Sequence, residues 1–182
     1  MRYKNTIKSI LLLISFFLIT SCSNNSAMKP EDFKNKEPRL IIEEYLSGDV
    51  KAWGVLQNRS GKVTRQFSAN LNGTWDGKQL ILKERFNWDD GEIQDREWTI
   101  NKIDDHNYEG TAGDVVGKAK GFSYGPAFKF EYVLLVPVKG RELKITFDDW
   151  IFKQDDRVAI NRATMTKFGF KVAELTVVFV KD

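Results

Sequence analysis

The chain has 182 residues, 42% of them hydrophobic and 29% charged, with one cysteine, one histidine and a formal charge of +3. A lone cysteine excludes an internal disulfide framework, and a lone histidine argues against a histidine metal site or a Ser-His-Asp triad. The positive charge is no footprint for nucleic acid, because Arg2, Lys4 and Lys8 account for all of it and the rest of the chain is formally neutral.

Residues 1–9 carry those three bases and no acid, and residues 10–19 are apolar apart from Ser15. A basic start followed by a short apolar run is the pattern of a secretory signal peptide, and ten residues are too few to span a bilayer as a helix. The run ends in Ile19-Thr20-Ser21-Cys22. That stretch resembles the lipobox of bacterial lipoproteins, which implies cleavage before Cys22, diacylglycerol on its sulfur and acylation, as by palmitate, of the new amine. Several acyl chains anchor a protein stably where one gives only marginal binding. Ser23 after the cysteine, rather than aspartate, fits the outer-membrane sorting of such lipoproteins. The expectation is a signal peptide over 1–21 and lipidation at Cys22. It also includes a domain held at the cell outer membrane, facing the periplasm. An ordinary cleaved signal peptide with an incidental cysteine is the plain alternative.

Residues 22–38 hold two of the four prolines and few large apolar side chains, a composition that predicts a flexible tether. Residues 39–182 are the size of one domain. The opening stretch RLIIEEYL predicts a short helix ending at Gly48, with a first strand as the alternative. After it the period becomes two. Val63, Arg65, Phe67, Ala69, Leu71, Gly73 and Trp75 alternate with polar residues, as do Leu80, Leu82, Glu84, Phe86 and Trp88, and Phe128 to Val136. Such alternation is a strand with one buried face. Turn signals at residues 59–61, 76–77, 89–91, 104–107, 139–140, 155–156 and 168–169 divide the chain into about nine or ten strands. The fold class is therefore all-β: an antiparallel meander, closed as a lipocalin-like (calycin-type) barrel or folded as a strongly curved sandwich.

Four double aspartates (89–90, 104–105, 148–149 and 155–156) suggest paired-carboxylate chemistry, but neighbours on a strand face opposite ways and three of the pairs lie in turns. Hairpin register is more informative. A three-residue loop at residues 89–91, with Gly91 left-handed, pairs Trp88 with Glu92 and sets Glu84 opposite Arg96. A two- or four-residue loop around residues 155–156 sets Asp149 opposite Arg162. Arg65 falls on the same kind of apolar face, opposite Trp88. Arg65, Glu84, Arg96, Asp149 and Arg162 are thus the candidate ligand-binding or polar-core residues. Paired charges in a core are the structural reading. Arginines meeting an anionic head group inside a cavity are the binding reading, and the carboxylates as acid/base groups are a catalytic one. The five glycines within residues 110–125 predict a bend or a mouth rather than a dinucleotide loop. No metal site and no cofactor is expected.

Several stretches together, KAWGVLQNRSGKVTRQF, DGEIQDREW, GTAGDVVGKAKG, FDDW and NRATMTKFG, resemble a family of envelope lipoproteins and periplasmic proteins of Gram-negative bacteria catalogued only as domain of unknown function 3833. The resemblance runs over nearly the whole domain. It implies an envelope location and a β-rich fold, with recurring positions at Arg59, Arg96, Asp114, Asp148, Asp149, Asn161, Arg162 and Lys167, and it carries over no catalytic residue. The leading expectation is a barrel anchored through Cys22 that binds an amphiphilic, lipid-like molecule among Phe67, Phe86, Trp98, Phe128 and Phe130. The alternative is a structural or protein-interaction lipoprotein with a packed core and an unidentified envelope partner.

Overall fold

The computed structural model describes residues 27–138 and 140–181; the expected signal peptide and Cys22 lie outside them. Ten strands follow one another: β1 (Gly48–Asn58), β2 (Val63–Trp75), β3 (Gln79–Trp88), β4 (Ile93–Lys102), β5 (Asn107–Thr111), β6 (Ala119–Tyr124), β7 (Ala127–Val138), β8 (Arg141–Lys153), β9 (Val158–Lys167) and β10 (Phe170–Lys181). Each pairs antiparallel with the next, and β1 pairs with β10, so the sheet closes into a barrel. Closure satisfies the backbone groups that an open meander would leave along two edges. The alternation predicted from the sequence is the alternation observed. Phe67, Ala69 and Leu71 are buried on β2 while Ser68, Asn70 and Asn72 are exposed. Each buried aliphatic or aromatic side chain stabilises the wall by roughly 1.5–3 kcal/mol.

One end of the barrel is shut. The helix α1 (Ile42–Tyr45) and its flanks cross it, burying Leu40 and Ile42 completely. Polar ties fix this floor. The Leu40 amide donates to the Gly125 carbonyl at 2.8 Å, and the Ser123 hydroxyl donates to the Leu40 carbonyl at 3.1 Å. Glu43, itself buried, accepts from the Tyr108 hydroxyl at 2.9 Å and from Lys102 Nζ at 2.7 Å. The ordered chain begins to dock earlier than the expected boundary at Pro38. Pro30–Phe33 forms a 3-10 turn, and the Phe33 ring lies 6.0 Å from Trp150 and 5.5 Å from Phe152. Composition suggested tether here because one phenylalanine in a polar stretch is a weak signal. It docks because the outer wall offers it a stacked Trp150–Phe152 pair. Among the described residues, every strand, the floor helix and the docked 3-10 turn lie within residues 30–181, which carry their own core.

Hairpin registers decide which charges face inward. The 89–91 loop is as expected: the Trp88 amide donates to the Glu92 carbonyl at 2.9 Å, Gly91 has φ +87°, and Glu84 stands opposite Arg96. The 155–156 hairpin differs. Its loop has three residues, because the Gln154 amide donates to the Val158 carbonyl at 2.8 Å, so Asp149 faces Ala163 and Trp150 faces Arg162. The Asp155 carboxylate holds this loop by accepting from the amides of Arg157 and Val158 at 2.8 and 2.7 Å. An odd loop length reverses the parity, so Arg162 points outward and Asn161 takes the inward place. Arg65 is inward, as expected. The 76–79 hairpin is two residues out of the predicted register, setting Phe67 rather than Arg65 opposite Trp88.

The glycine-rich stretch shapes one side of the wall. β5 and β6 are short, and beyond them β4 and β7 are bridged only by residues 112–118. The Val116 amide donates to the Val133 carbonyl at 2.8 Å, and the Leu135 amide to the Asp114 carbonyl at 2.9 Å. At Gly110 the Phe130 ring occupies the space a Cβ would need, so glycine there makes room for an inward aromatic.

Candidate functional site: a cavity inside the barrel

Above the floor the barrel encloses a cavity of about 770 Å³, within the usual range for small-molecule sites. The aromatics predicted to line it, Phe67, Phe86, Trp98, Phe128 and Phe130, all do. They interlock rather than fill the space: Trp98 lies 5.1 Å from Phe130 and 5.3 Å from Tyr132, and Tyr132 stacks on Phe147 at 5.0 Å. The interior is therefore a lined cavity, not a packed core.

A belt of polar side chains crosses the apolar wall at mid-height. Glu84 on β3 lies 4.0 Å from Arg96 on β4, with side-chain exposures of only 12% and 16%. Arg96 turns most of its fork elsewhere: Nε and Nη2 donate to the Asp114 carboxylate at 3.0 and 2.7 Å. Across the cavity, Asp149 on β8 accepts from the Tyr132 hydroxyl at 2.9 Å and from the Asn161 side-chain amide. Asn161 also donates to the Trp150 carbonyl at 3.1 Å.

Burial pushes the Glu84 carboxyl up to about 7; Arg96 opposes that rise and the Asp149 charge adds to it. Burial also raises Asp149, against the hydrogen bonds from Asn161 and Tyr132, and it raises the Tyr132 hydroxyl well above the ordinary phenol value. For Arg96 burial disfavours the charge, but Glu84 and Asp114 more than offset it. One guanidinium thus serves two carboxylates. The polar capacity left over is mixed: oxygens of Glu84 and Asp149 can accept, and Arg96 Nη1, 4.0 Å from Glu84, makes no hydrogen bond to it. Nearer the open end, Arg65 Nε is buried without a hydrogen-bond partner among the described residues.

The remaining candidates fall outside this belt. Arg65 sits near the open end, its guanidinium 4.0 Å over the Trp88 ring, with Nη2 donating to Asp90 and Glu92 at 2.7 and 2.9 Å. Arg162 is 67% exposed on the outer wall, 3.6 Å from Glu174, so it does not pair with Asp149. Tyr132, Asn161 and Asp114 are the belt members that the sequence reading gave no role. Tyr132 could have been found, being the one hydroxyl in the inward row Phe128, Phe130, Tyr132. Asp114 comes from a loop with no register to count. Among the described residues no cluster of three or more His, Cys, Asp or Glu side chains could hold a metal ion.

A closed, ten-stranded antiparallel barrel with a capped end and a lined interior is a calycin-like, lipocalin-type fold. The S-type phycobiliprotein lyase CPES from Guillardia theta has a similar fold, with a TM-score of 0.57 at 9% identity, over 77% of this chain and 90% of that one. So does a protein of unknown function from the DUF3598 family of Nostoc punctiforme, with a TM-score of 0.60 at 14% identity, over 81% of this chain and 51% of that one. No curated protein matches the sequence. The chain belongs to the family described as protein of unknown function (DUF3833), whose profile matches residues 16–181.

Proposed function

We propose that this protein is an outer-membrane lipoprotein, anchored through Cys22 and facing the periplasm, whose barrel binds an amphiphilic, lipid-like molecule. The observation that carries the binding reading is the cavity of about 770 Å³, lined mostly by apolar and aromatic side chains, with a polar belt at mid-height and Arg65 and Gln94 nearer the open end. A molecule with an apolar body and one polar group matches that distribution. The belt modifies the expectation of an anionic head group. Arg96 is held mainly by Asp114 and Arg162 is outside, so at the belt a hydroxyl, amide or amine donating to Asp149 or Glu84 fits. An acceptor on the ligand would meet the unpartnered Nε of Arg65 nearer the open end. The anchor reading is supported by the residues before and around Cys22.

Native mass spectrometry of the chain from Ser23 onward, followed by organic extraction, tests the binding reading. The expected result is a stoichiometric lipid-like species whose occupancy falls in Asp149→Asn, a change that replaces one acceptor oxygen of the belt by a donor and keeps the size of the side chain. A bare protein mass, unchanged after incubation with envelope lipids, would sink the proposal. Metabolic labelling with palmitate, comparing the wild type with Cys22→Ala, tests the anchor separately.

A further inference from the structure

The cavity leaves one feature of the open end unexplained. The hairpin joining β9 to β10 turns on Phe168 and Gly169, both at positive φ, +52° and +80°. Two such residues make a type I′ turn, for which Asn-Gly is the favoured sequence. A bulky side chain is a rare occupant of that conformation. The Phe168 ring is nevertheless 87% exposed, and Phe170 beside it is 69% exposed. Neither backbone preference nor burial accounts for a phenylalanine at the tip.

The surroundings have a consistent chemistry. The turns β7–β8, β9–β10 and β1–β2 are neighbours around the rim, since β8 pairs with β9 and β10 with β1. Along this arc Val138 and Val63 are also exposed apolar residues. Interleaved with them are Arg141, Lys167, Lys171, Arg59 and Lys62; neither the β1–β2 turn nor the β9–β10 turn contains an acid, and the β7–β8 turn has Glu142 beside Arg141. The acidic β3–β4 turn (Asp89, Asp90, Glu92) lies beyond this arc, with Asp90 and Glu92 bound by Arg65. Lys171 reaches back to Glu174 at 2.9 Å, and Lys167 Nζ lies 5.0 Å over the Phe168 ring. A few residues below this rim, Met165, Leu175 and Val136 line the cavity.

We propose that this end of the barrel docks on an anionic lipid bilayer, with Phe168 and Phe170 entering the boundary between headgroups and acyl chains and the flanking basic residues meeting lipid phosphates. Apolar side chains on turn tips, flanked by lysine and arginine, are the arrangement that holds a protein at such an interface. A protein partner would call instead for a broad, packed apolar patch with fewer charges at its centre. Docking in this orientation points the cavity mouth at the bilayer, so an apolar ligand would exchange without crossing water. The docking itself does not require a loaded cavity, so its test is independent of the ligand proposed above.

The test is co-sedimentation of the chain from Ser23 onward, which holds every strand and the floor, with vesicles of phosphatidylethanolamine and phosphatidylglycerol. Vesicles of phosphatidylcholine alone are the comparison. The expected result is binding to the anionic vesicles, weakened by salt, and weak binding to the neutral ones. Phe168→Ser with Phe170→Ser should lower the affinity about tenfold or more, and Lys167→Glu with Lys171→Glu should lower it as well. Phe168→Asn guards against misfolding, because it suits the turn; it should melt no lower than the wild type and still bind more weakly. A wild type that stays in solution with anionic vesicles overturns the proposal, as does a double phenylalanine variant that binds equally well. A wild-type dimer that this variant converts to monomer would assign the rim to a second copy of the chain, and that too overturns it.

Discussion

The two ends of the barrel are made from the same material, short turns between antiparallel strands, and are finished in opposite ways. At the floor, apolar side chains apart from the exposed Ile103 of the β4–β5 turn are driven inward, and the polar groups around them are matched. Leu40 and Ile42 are fully buried, Glu43 is held by Tyr108 and Lys102, and Lys181 Nζ donates to the carbonyls of Glu44, Tyr45 and Ser47 at 2.9, 2.9 and 2.6 Å. At the rim, apolar side chains are left in water and one of them is held in an unfavourable backbone conformation. The floor is built for stability. The rim gives stability away, which is the behaviour expected of a surface that meets something else.

Breaking the floor should cost most. Ile42→Ala removes a completely buried side chain from the cap, and urea denaturation should show a loss of about 3 kcal/mol. The mid-barrel belt comes next, and its effect depends on pH. Burial raises the folded pKa of Glu84 to about 7, above the ordinary carboxyl value of 4.5. The folded state therefore holds a proton that the unfolded state has released between those values, and stability falls as pH rises from about 4.5 to 7. Glu84→Gln should match the wild type near pH 4.5 and exceed it at pH 8 by at most about 3 kcal/mol, read from denaturation across that range. At the rim the sign reverses for a different reason: Phe168→Asn should stabilise by about 1 kcal/mol, because asparagine tolerates the left-handed region. A destabilised Phe168→Asn would show that the ring makes contacts that its exposure conceals. The smallest effect belongs to the outer wall. Arg162→Ala should change stability by less than about 0.5 kcal/mol and leave ligand retention untouched.

Strand positions and the inward rows were legible in the sequence because a half-buried wall imposes a period of two. Glu84 opposite Arg96 was legible as well, since Gly91 marks the left-handed position that a three-residue loop requires. Arg162 was misplaced because the loop of residues 155–157 carries no such glycine. It is held by the Asp155 side chain, and nothing in its composition distinguishes three residues from two or four. Arg65 survived a two-residue slip because an even shift keeps the face. Its guanidinium still reaches Trp88, now diagonally. Asp114 was out of reach of any register argument, because it arrives from a loop that crosses between two strands. The docked Phe33 was hidden for a similar reason: its partners, Trp150 and Phe152, lie more than a hundred residues away.

The pairing of β1 with β10 has a consequence in time. Until β10, 12 residues long, has been made, the nine described strands before it form a ribbon with two unpaired edges, and Gly48–Asn58 waits for a partner more than a hundred residues later. Contacts so distant in sequence form slowly. A chain that reaches its compartment amino end first would spend that interval with an exposed, partly apolar sheet edge, the state most prone to pairing with a neighbour. β10 is thus the element that ends the hazard, and its loss would leave the other nine described strands permanently in it.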